Sequence, residues 1–140
     1  MRNIAIYKAT LDNEEIDQLK SVLQAKDDLS KVLEFEEKMV KYIGAKYAIA
    51  TATSTAALHL ALSSMRLKRG DKVLMSVNSF VNLPETVRHF DAEPIFVDIN
   101  LEDMNLDIEK FEETIIANKS KKLRAAIITF IGGLAPNLDK

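Results

Sequence analysis

The sequence predicts an α/β fold with three layers and a mostly parallel sheet. Short apolar runs typical of strands alternate along the chain with longer segments of helical periodicity. This alternation indicates βαβ units, in which parallel strands are joined by right-handed helical crossovers. A length of 140 residues and an apolar content of 47% suit one domain of ordinary size with a buried core.

The first part of the chain predicts two amphipathic helices. Asp12 and Glu15 have the spacing of an N-terminal capping box, which predicts a helix over residues 13–25. A polar stretch at 26–31 predicts a loop. Apolar residues at helical spacing between Val32 and Ile43 predict the second helix, and Gly44 stands where a C-cap glycine is expected. We therefore divide the chain into an N-terminal helix and loop at 1–31 and a large, incomplete domain at 32–140.

The rest of the chain predicts alternating strands and helices. The predicted strands are Tyr47–Ala50, Lys72–Val77, Ile95–Val97 and Ala125–Phe130. The predicted helices are Ala56–Met65, a helix from near Pro84, and Ile108–Ala117 with Asp107 as its cap. Helix 56–65 is apolar around its whole circumference, which predicts that it is buried on most sides.

Composition excludes several classes of function. The net charge of -2, with both signs mixed along the chain, weighs against nucleic-acid binding. The chain has no cysteine, and two histidines, His59 and His89, are too few for a metal cluster, so no metal is expected. The N-terminus has no apolar signal segment, and no apolar run approaches the roughly 20 residues of a membrane span. We expect a cytoplasmic protein that does not associate with membranes.

Two strand ends have residues suited to ligand binding. The small, hydroxylated segment from Thr51 to Thr55 lies between a predicted strand and a helix, where free amides and the helix dipole favour an anion. The alternative interpretation is a simple N-cap by Thr53 or Ser54, which this segment alone favours. In the loop 76–80, Phe80 is suited to stacking on a flat ring, although filling the core is the commoner role of phenylalanine.

Several segments resemble motifs of the DegT/DnrJ/EryC1/StrS family of pyridoxal-phosphate-dependent (PLP) sugar aminotransferases, in the same order and at nearly constant spacing. The similar pairs are FEE…YIGAKYA at 35–48 with FEE…YLGVKHA, TSTAALHLAL at 53–62 with SGTAALHLAL, GDKV at 70–73 with GDEV, FV at 80–81 with the TFVATAN or TFVATAE loop that ends at Glu85, EPIFVDI at 93–99 with ATPVFVDID, NLD at 105–107 with YNLD, and FIGGLAPNLD at 130–139 with HLYGQPADMD.

The resemblance implies the N-terminal portion of the large domain of a fold-type-I PLP-dependent transferase. It implies a homodimer with shared active sites, glutamate as amino donor and a nucleotide-linked keto sugar as acceptor, in surface polysaccharide or amino-sugar biosynthesis. Carried over by position, Ser54 and Thr55 would hold the phosphate of pyridoxal 5′-phosphate through backbone N–H groups and the threonine hydroxyl. Phe80 would stack on the pyridine ring.

The chain departs from the family pattern in four respects, the first of which is a loop at 26–31 shorter than the family's glycine-containing segment. Ser54 replaces a glycine, and Phe130 replaces a histidine. The family's aspartate that pairs with the pyridine nitrogen, and its Schiff-base lysine, would lie beyond Lys140, and no lysine of this chain occupies a matching motif. We therefore expect no catalytic residue, no covalent attachment of the cofactor through such a lysine, and no activity from this chain alone.

Two alternatives stay open on the residues. The first is a non-catalytic remnant that only packs against a partner. The second is a nucleotide-binding or methyltransferase-like α/β domain, because the segment 67–75 also resembles the strand lead-in of such folds. No glycine-rich loop follows that strand, which counts against the second alternative.

Overall fold

A computed structural model describes residues 8–25 and 29–136. Within these ranges the chain forms five α-helices and three β-strands. Its contacts divide it into two compact units, Met1–Ala50 and Thr51–Lys140. The division at residues 31 and 32 that the sequence suggests stays a prediction.

The first unit contains helices α1 (Asn13–Ala25) and α2 (Ser30–Ile43). The predicted capping box is present: the Glu15 carboxylate accepts from the Asp12 N–H, and Asp12 Oδ1 accepts from the Glu14 N–H, both at 2.8 Å. Gly44 has the left-handed conformation of a C-cap, with φ of 75°. Helix α2 begins at Ser30, two residues before the predicted start. Residues 26–28 of the predicted loop lie outside the described residues.

The predicted strand Tyr47–Ala50 is wrong. Within the described part of the first unit, these residues pair with no other strand. The N–H of Ala50 instead donates to the Glu36 carboxylate at 2.7 Å, and the Tyr47 side chain is exposed. The run is apolar enough for a strand, but a strand also needs a neighbouring backbone to bond with.

Glu34 on α2 lies between two lysines and should titrate at unusually low pH. Its carboxylate accepts from Lys31 Nζ at 2.9 Å and from Lys38 Nζ at 2.7 Å, and these bonds lower its pKa from 4.5 to about 2. The stabilisation is therefore complete above pH 4.5 and is lost as the pH falls towards 2. We expect an NMR titration of the side-chain carboxyl at low salt to give a midpoint near 2, and the variant Lys38→Met to raise it. Added salt should also raise it, because the pair is exposed. A midpoint insensitive to both changes would contradict this assignment.

The second unit is an α/β domain with a parallel sheet. Its elements are α3 (Ser54–Ser64), β1 (Lys72–Ser76), α4 (Asn82–Arg88), β2 (Glu93–Val97), α5 (Ile108–Ala117), β3 (Leu123–Ile127) and a 3₁₀ turn (Ile131–Gly133). The strand order is β2-β1-β3, and β1 pairs in parallel with both neighbours. The parallel sheet that the sequence predicts is confirmed.

Strand β1 separates two cores, one on each face of the sheet. On one face Val73 and Met75 form a core with Leu62 of α3 and Val87 of α4. Ala92, just before β2, belongs to the same core. On the opposite face Leu74 packs with Val97 and Leu106, and side chains of α5 cover them. Helices therefore cover both faces of the sheet, which is the predicted three-layer arrangement.

Several predicted elements of the second unit differ in detail from the structure. Strand β3 ends at Ile127 rather than Phe130, because a 3₁₀ turn follows in which Gly132 and Gly133 have positive φ. Helix α4 begins at Asn82, two residues before Pro84. The prediction that helix 56–65 is buried on most sides is wrong, since Leu62 is the one α3 residue buried by the described structure. A helix that is apolar on all sides is expected to be buried on all sides. In the described structure, however, α3 packs into the core on one side only.

In the described ranges no helix combines the length and apolar character needed to cross a membrane. The same ranges contain no group of three or more histidine, aspartate or glutamate side chains arranged to hold a metal ion. The cytoplasmic location stays a prediction.

Candidate cofactor-binding site

Helix α3 begins with the cap that the sequence predicts. Thr53 is extended, with φ of −148° and ψ of 156°, and its Oγ1 accepts from the Ala56 N–H at 3.1 Å. The Thr51 hydroxyl donates to the carbonyl oxygen of Thr53 at 2.9 Å. These two bonds hold the turn that leads into the helix.

The cap leaves two helix-end amides available. The backbone N–H groups of Ser54 and Thr55 donate to no acceptor among residues 8–25 and 29–136. Both residues are exposed. Because the first amides of a helix lack internal acceptors and lie at the positive end of its dipole, they attract an anion. The N-cap interpretation and the anion-site interpretation of this segment are therefore compatible. The cap uses the Ala56 N–H, whereas an anion would use the N–H groups of Ser54 and Thr55.

Phe80 does not fill the core. Its side chain is 72% exposed, in the loop that follows the carboxyl end of the central strand β1. Its carbonyl oxygen accepts from the Leu83 N–H at 3.0 Å, which begins the turn into α4. The core-filling alternative is thus overturned, and the ring is accessible to a ligand.

A hydrogen bond joins this loop to the start of α3. Asn82 Nδ2 donates to Thr55 Oγ1 at 2.8 Å. Asn82 is two residues beyond Phe80 and is the first residue of α4. The bond therefore places the segment carrying Phe80 beside the helix end that carries the free amides of Ser54 and Thr55. Sequence reasoning missed Asn82, although one signal was available: it stands where the TFVATAN motif has alanine.

The side-chain oxygen of Asn82 is buried and has no hydrogen-bond partner in the described structure. Most buried polar atoms in folded proteins are hydrogen-bonded, so this acceptor indicates that a hydrogen-bond donor, such as an ordered water, binds there. The two free amides, rather than this oxygen, fit a phosphate-bearing group at the start of α3.

Two asparagines connect the loops at the carboxyl ends of the strands. Asn105 is buried, and its Oδ1 accepts from the Ile131 N–H at 2.9 Å. Asn78 Nδ2 donates to the Met104 carbonyl oxygen at 3.0 Å. Loops following β1, β2 and β3 are therefore linked. They lie beyond the carboxyl ends of the strands, where parallel α/β domains bind ligands.

Several other polar residues lie outside this arrangement. His59 is exposed, with its ring centroid 4.8 Å from that of Phe90, so it packs on one side only rather than inside the core. Arg88 and His89 are exposed. The Asp98 carboxylate accepts from the Ile99 N–H at 2.8 Å, consistent with a turn cap.

The parallel sheet, the capped helix with two free amides and the exposed aromatic ring are typical of α/β domains that bind a phosphorylated ligand beyond their strand ends. The chain belongs to the DegT/DnrJ/EryC1/StrS aminotransferase family, whose model matches residues 9–140. Because the chain belongs to this family, the alternative of a nucleotide-binding or methyltransferase-like domain is excluded. Pyridoxal phosphate is the cofactor that this relationship supports.

Individual relatives agree with the family assignment. The chain is 39% identical over 128 residues to an uncharacterized protein of Methanocaldococcus jannaschii, covering 91% of this chain and 32% of the relative. It is 37% identical over 84 residues to a GDP-perosamine synthase of Caulobacter vibrioides, covering 60% of this chain and 23% of the relative.

A solved structure shows the same fold with the cofactor. The E. coli GDP-4-keto-6-deoxy-D-mannose-3-dehydratase with bound hydrated PLP matches with a TM-score of 0.80 and 25% identity, covering 91% of this chain and 34% of that one. This chain thus spans about a third or less of the length of these relatives.

Proposed function

We propose that this chain provides the phosphate-binding and ring-binding part of a pyridoxal-phosphate site in an aminotransferase that acts on nucleotide-linked keto sugars. The observation that carries the proposal is the hydrogen bond from Asn82 Nδ2 to Thr55 Oγ1, which joins the loop of the exposed Phe80 to the helix start that carries the free amides. If the segment 51–55 served only as a helix cap and Phe80 only as a core side chain, nothing would require the two segments to lie together.

Each proposed residue has a distinct role. The backbone N–H groups of Ser54 and Thr55 would donate to phosphate oxygens, with the Thr55 hydroxyl as a further donor. The ring of Phe80 would stack on the pyridine ring and shield one of its faces from water. When bound, the cofactor supplies an electron sink for bond changes at the carbon that carries the amino group. The chain's own residues bind and orient it.

The sugar substrate is proposed from the relatives. The Caulobacter relative is named a GDP-perosamine synthase and the E. coli one a GDP-4-keto-6-deoxy-D-mannose-3-dehydratase, so both are named for GDP-linked sugars. We propose a nucleotide-linked keto sugar as acceptor, glutamate as donor and a homodimer as the active assembly. Because a dehydratase with this fold also holds PLP, Ser54, Thr55 and Phe80 would serve cofactor binding in either reaction.

Binding of pyridoxamine 5′-phosphate tests the proposal. This probe lacks the aldehyde and does not react with surface lysines, and its fluorescence reports binding. We expect saturable binding to the chain, weakened by Phe80→Ala about 2- to 12-fold, the equivalent of one aromatic stacking contact. Phe80→Tyr is the matched control and should bind like the original chain.

The same Phe80→Ala variant should unfold at the original denaturant concentration, since the ring is mostly exposed. A chain that does not bind the probe at all would favour the alternative of a non-catalytic remnant. Saturable binding that is indifferent to Phe80→Ala would remove this residue from the proposed site.

A further inference from the structure

We infer that Asn82 is a positioning residue that orients the Thr55 hydroxyl so that its hydrogen faces the cofactor phosphate. The inference rests on the proposed function and deepens it by assigning a role to a residue of this chain that the family motif does not contain. It is carried by the bonding of the hydroxyl, by the burial of the Asn82 side-chain oxygen and by the residue type at position 82.

The bonding of Thr55 differs from that of other helical threonines in this chain. The hydroxyls of Thr86 and Thr114 donate to the carbonyl oxygen four residues earlier, each at 2.6 Å. The Thr55 hydroxyl has no such bond in the described structure and accepts from Asn82 Nδ2 at 2.8 Å. A hydroxyl has one hydrogen to donate and two lone pairs that accept. With one lone pair occupied by the amide, the hydrogen of Thr55 is free for a ligand.

Accepting a hydrogen bond also makes the hydroxyl a better donor. Hydrogen bonds in a chain polarise one another, so an amide that donates to Thr55 strengthens the bond that Thr55 donates onward. A phosphate oxygen at the free amides of Ser54 and Thr55 would be the acceptor at the end of this chain. Asn82 would therefore act on the phosphate through Thr55, without touching the phosphate itself.

Asn82 is held firmly enough to impose this orientation. It is the first residue of α4, and its carbonyl oxygen accepts from the Thr86 hydroxyl at 2.6 Å. Its side-chain oxygen is buried without a partner, an arrangement that stability alone does not favour. The TFVATAN motif has alanine at this place, and alanine makes no side-chain hydrogen bond. The variant Asn82→Ala therefore introduces a residue that the same loop accommodates in the family, and it is expected to fold.

The experiment compares two probes in variants of the full 140-residue chain. Pyridoxamine 5′-phosphate reports the whole site, and pyridoxamine, which lacks the phosphate, reports ring binding alone. We expect Asn82→Ala to weaken binding of the phosphorylated probe about fivefold, the value of one ordinary hydrogen bond, and to leave pyridoxamine unaffected. Asn82→Asp should weaken it more, because a carboxylate takes the hydrogen of Thr55 and repels the phosphate.

A double-mutant cycle with Thr55→Val shows whether Asn82 acts through the hydroxyl. Once Thr55→Val has removed the hydroxyl, adding Asn82→Ala should cause no further loss. Asn118→Ala is the matched control: it removes an asparagine that accepts from Lys72 Nζ at 2.9 Å, at the start of β1 and so at the opposite end of that strand. It should bind both probes like the original chain, whatever its stability.

The results separate a failure of this inference from a failure of the proposed function. If the original chain binds no phosphorylated probe, the proposed site is wrong and the role of Asn82 falls with it. If the original chain binds and Asn82→Ala binds equally well, only the inference is overturned. It is also overturned if Asn82→Ala weakens both probes equally, or if its effect persists in the Thr55→Val background.

Discussion

Replacing Ser54 with proline is expected to weaken binding of pyridoxamine 5′-phosphate about 10- to 100-fold while helix α3 stays intact. The substitution removes one of the two free amides at the helix end. A hydrogen bond to a charged group contributes about 1.5–3 kcal/mol, which corresponds to an affinity change of this size. Pyridoxamine without phosphate should be unaffected, because the lost donor faces the phosphate alone.

Position 54 tolerates proline for local reasons. Ser54 is the first residue of α3, where proline is favoured because its fixed φ suits a helix start and its missing N–H has no helical acceptor. Thr53 is already extended, with φ of −148° and ψ of 156°, as the residue before a proline prefers. The substitution is therefore expected to remove one hydrogen-bond donor without disrupting helix α3.

Fluorescence titration measures the affinity, and circular dichroism checks the helix content. Ser54→Ala and Ser54→Gly are the controls: both keep the N–H, and glycine is the residue that the family motif has here. Both should bind within about twofold of the original chain, since they remove no donor to the phosphate. A proline variant that binds as tightly as these controls would show that the phosphate does not bind at this helix end.

Leu74→Ala is expected to lower the free energy of unfolding by about 2–5 kcal/mol, the usual cost of truncating a buried leucine. Leu74 lies on the central strand, is 2% exposed and packs with Val97 and Leu106. The cavity would open between the sheet and α5, where a rigid sheet cannot collapse to fill it. Since single domains are stable by only about 5–15 kcal/mol, this substitution removes a large part of the total.

Leu101→Ala is the matched control, since it makes the same truncation at a side chain that is 80% exposed. Its effect should stay within about 0.5 kcal/mol. Urea titration followed by circular dichroism measures both variants against the original chain. Equal, small effects from the two substitutions would mean that Leu74 is not part of a packed core and that the layer formed by α5 is misplaced.

Features that depend on neighbouring residues along the chain could be predicted from the sequence. Gly44 ends α2, Thr53 and Asp107 cap α3 and α5, and Gly132 begins the break after β3, because each acts within one turn of its own position. Alternation of strands and helices then implied a parallel sheet with helices on both faces. The family resemblance, rather than local physics, singled out Ser54, Thr55 and Phe80 together.

Which of these elements found partners depended on contacts between segments far apart in the chain. The segment 47–50 has the composition of a strand but no neighbour to pair with among the described residues, and α3 is apolar all round but covered on one side. The exposure of Phe80 and the bond between Asn82 and Thr55 likewise join residues far apart in sequence. Strand pairing, burial and side-chain hydrogen bonds depend on which residues lie opposite in space. The periodicity of one segment does not specify which other segment it will contact.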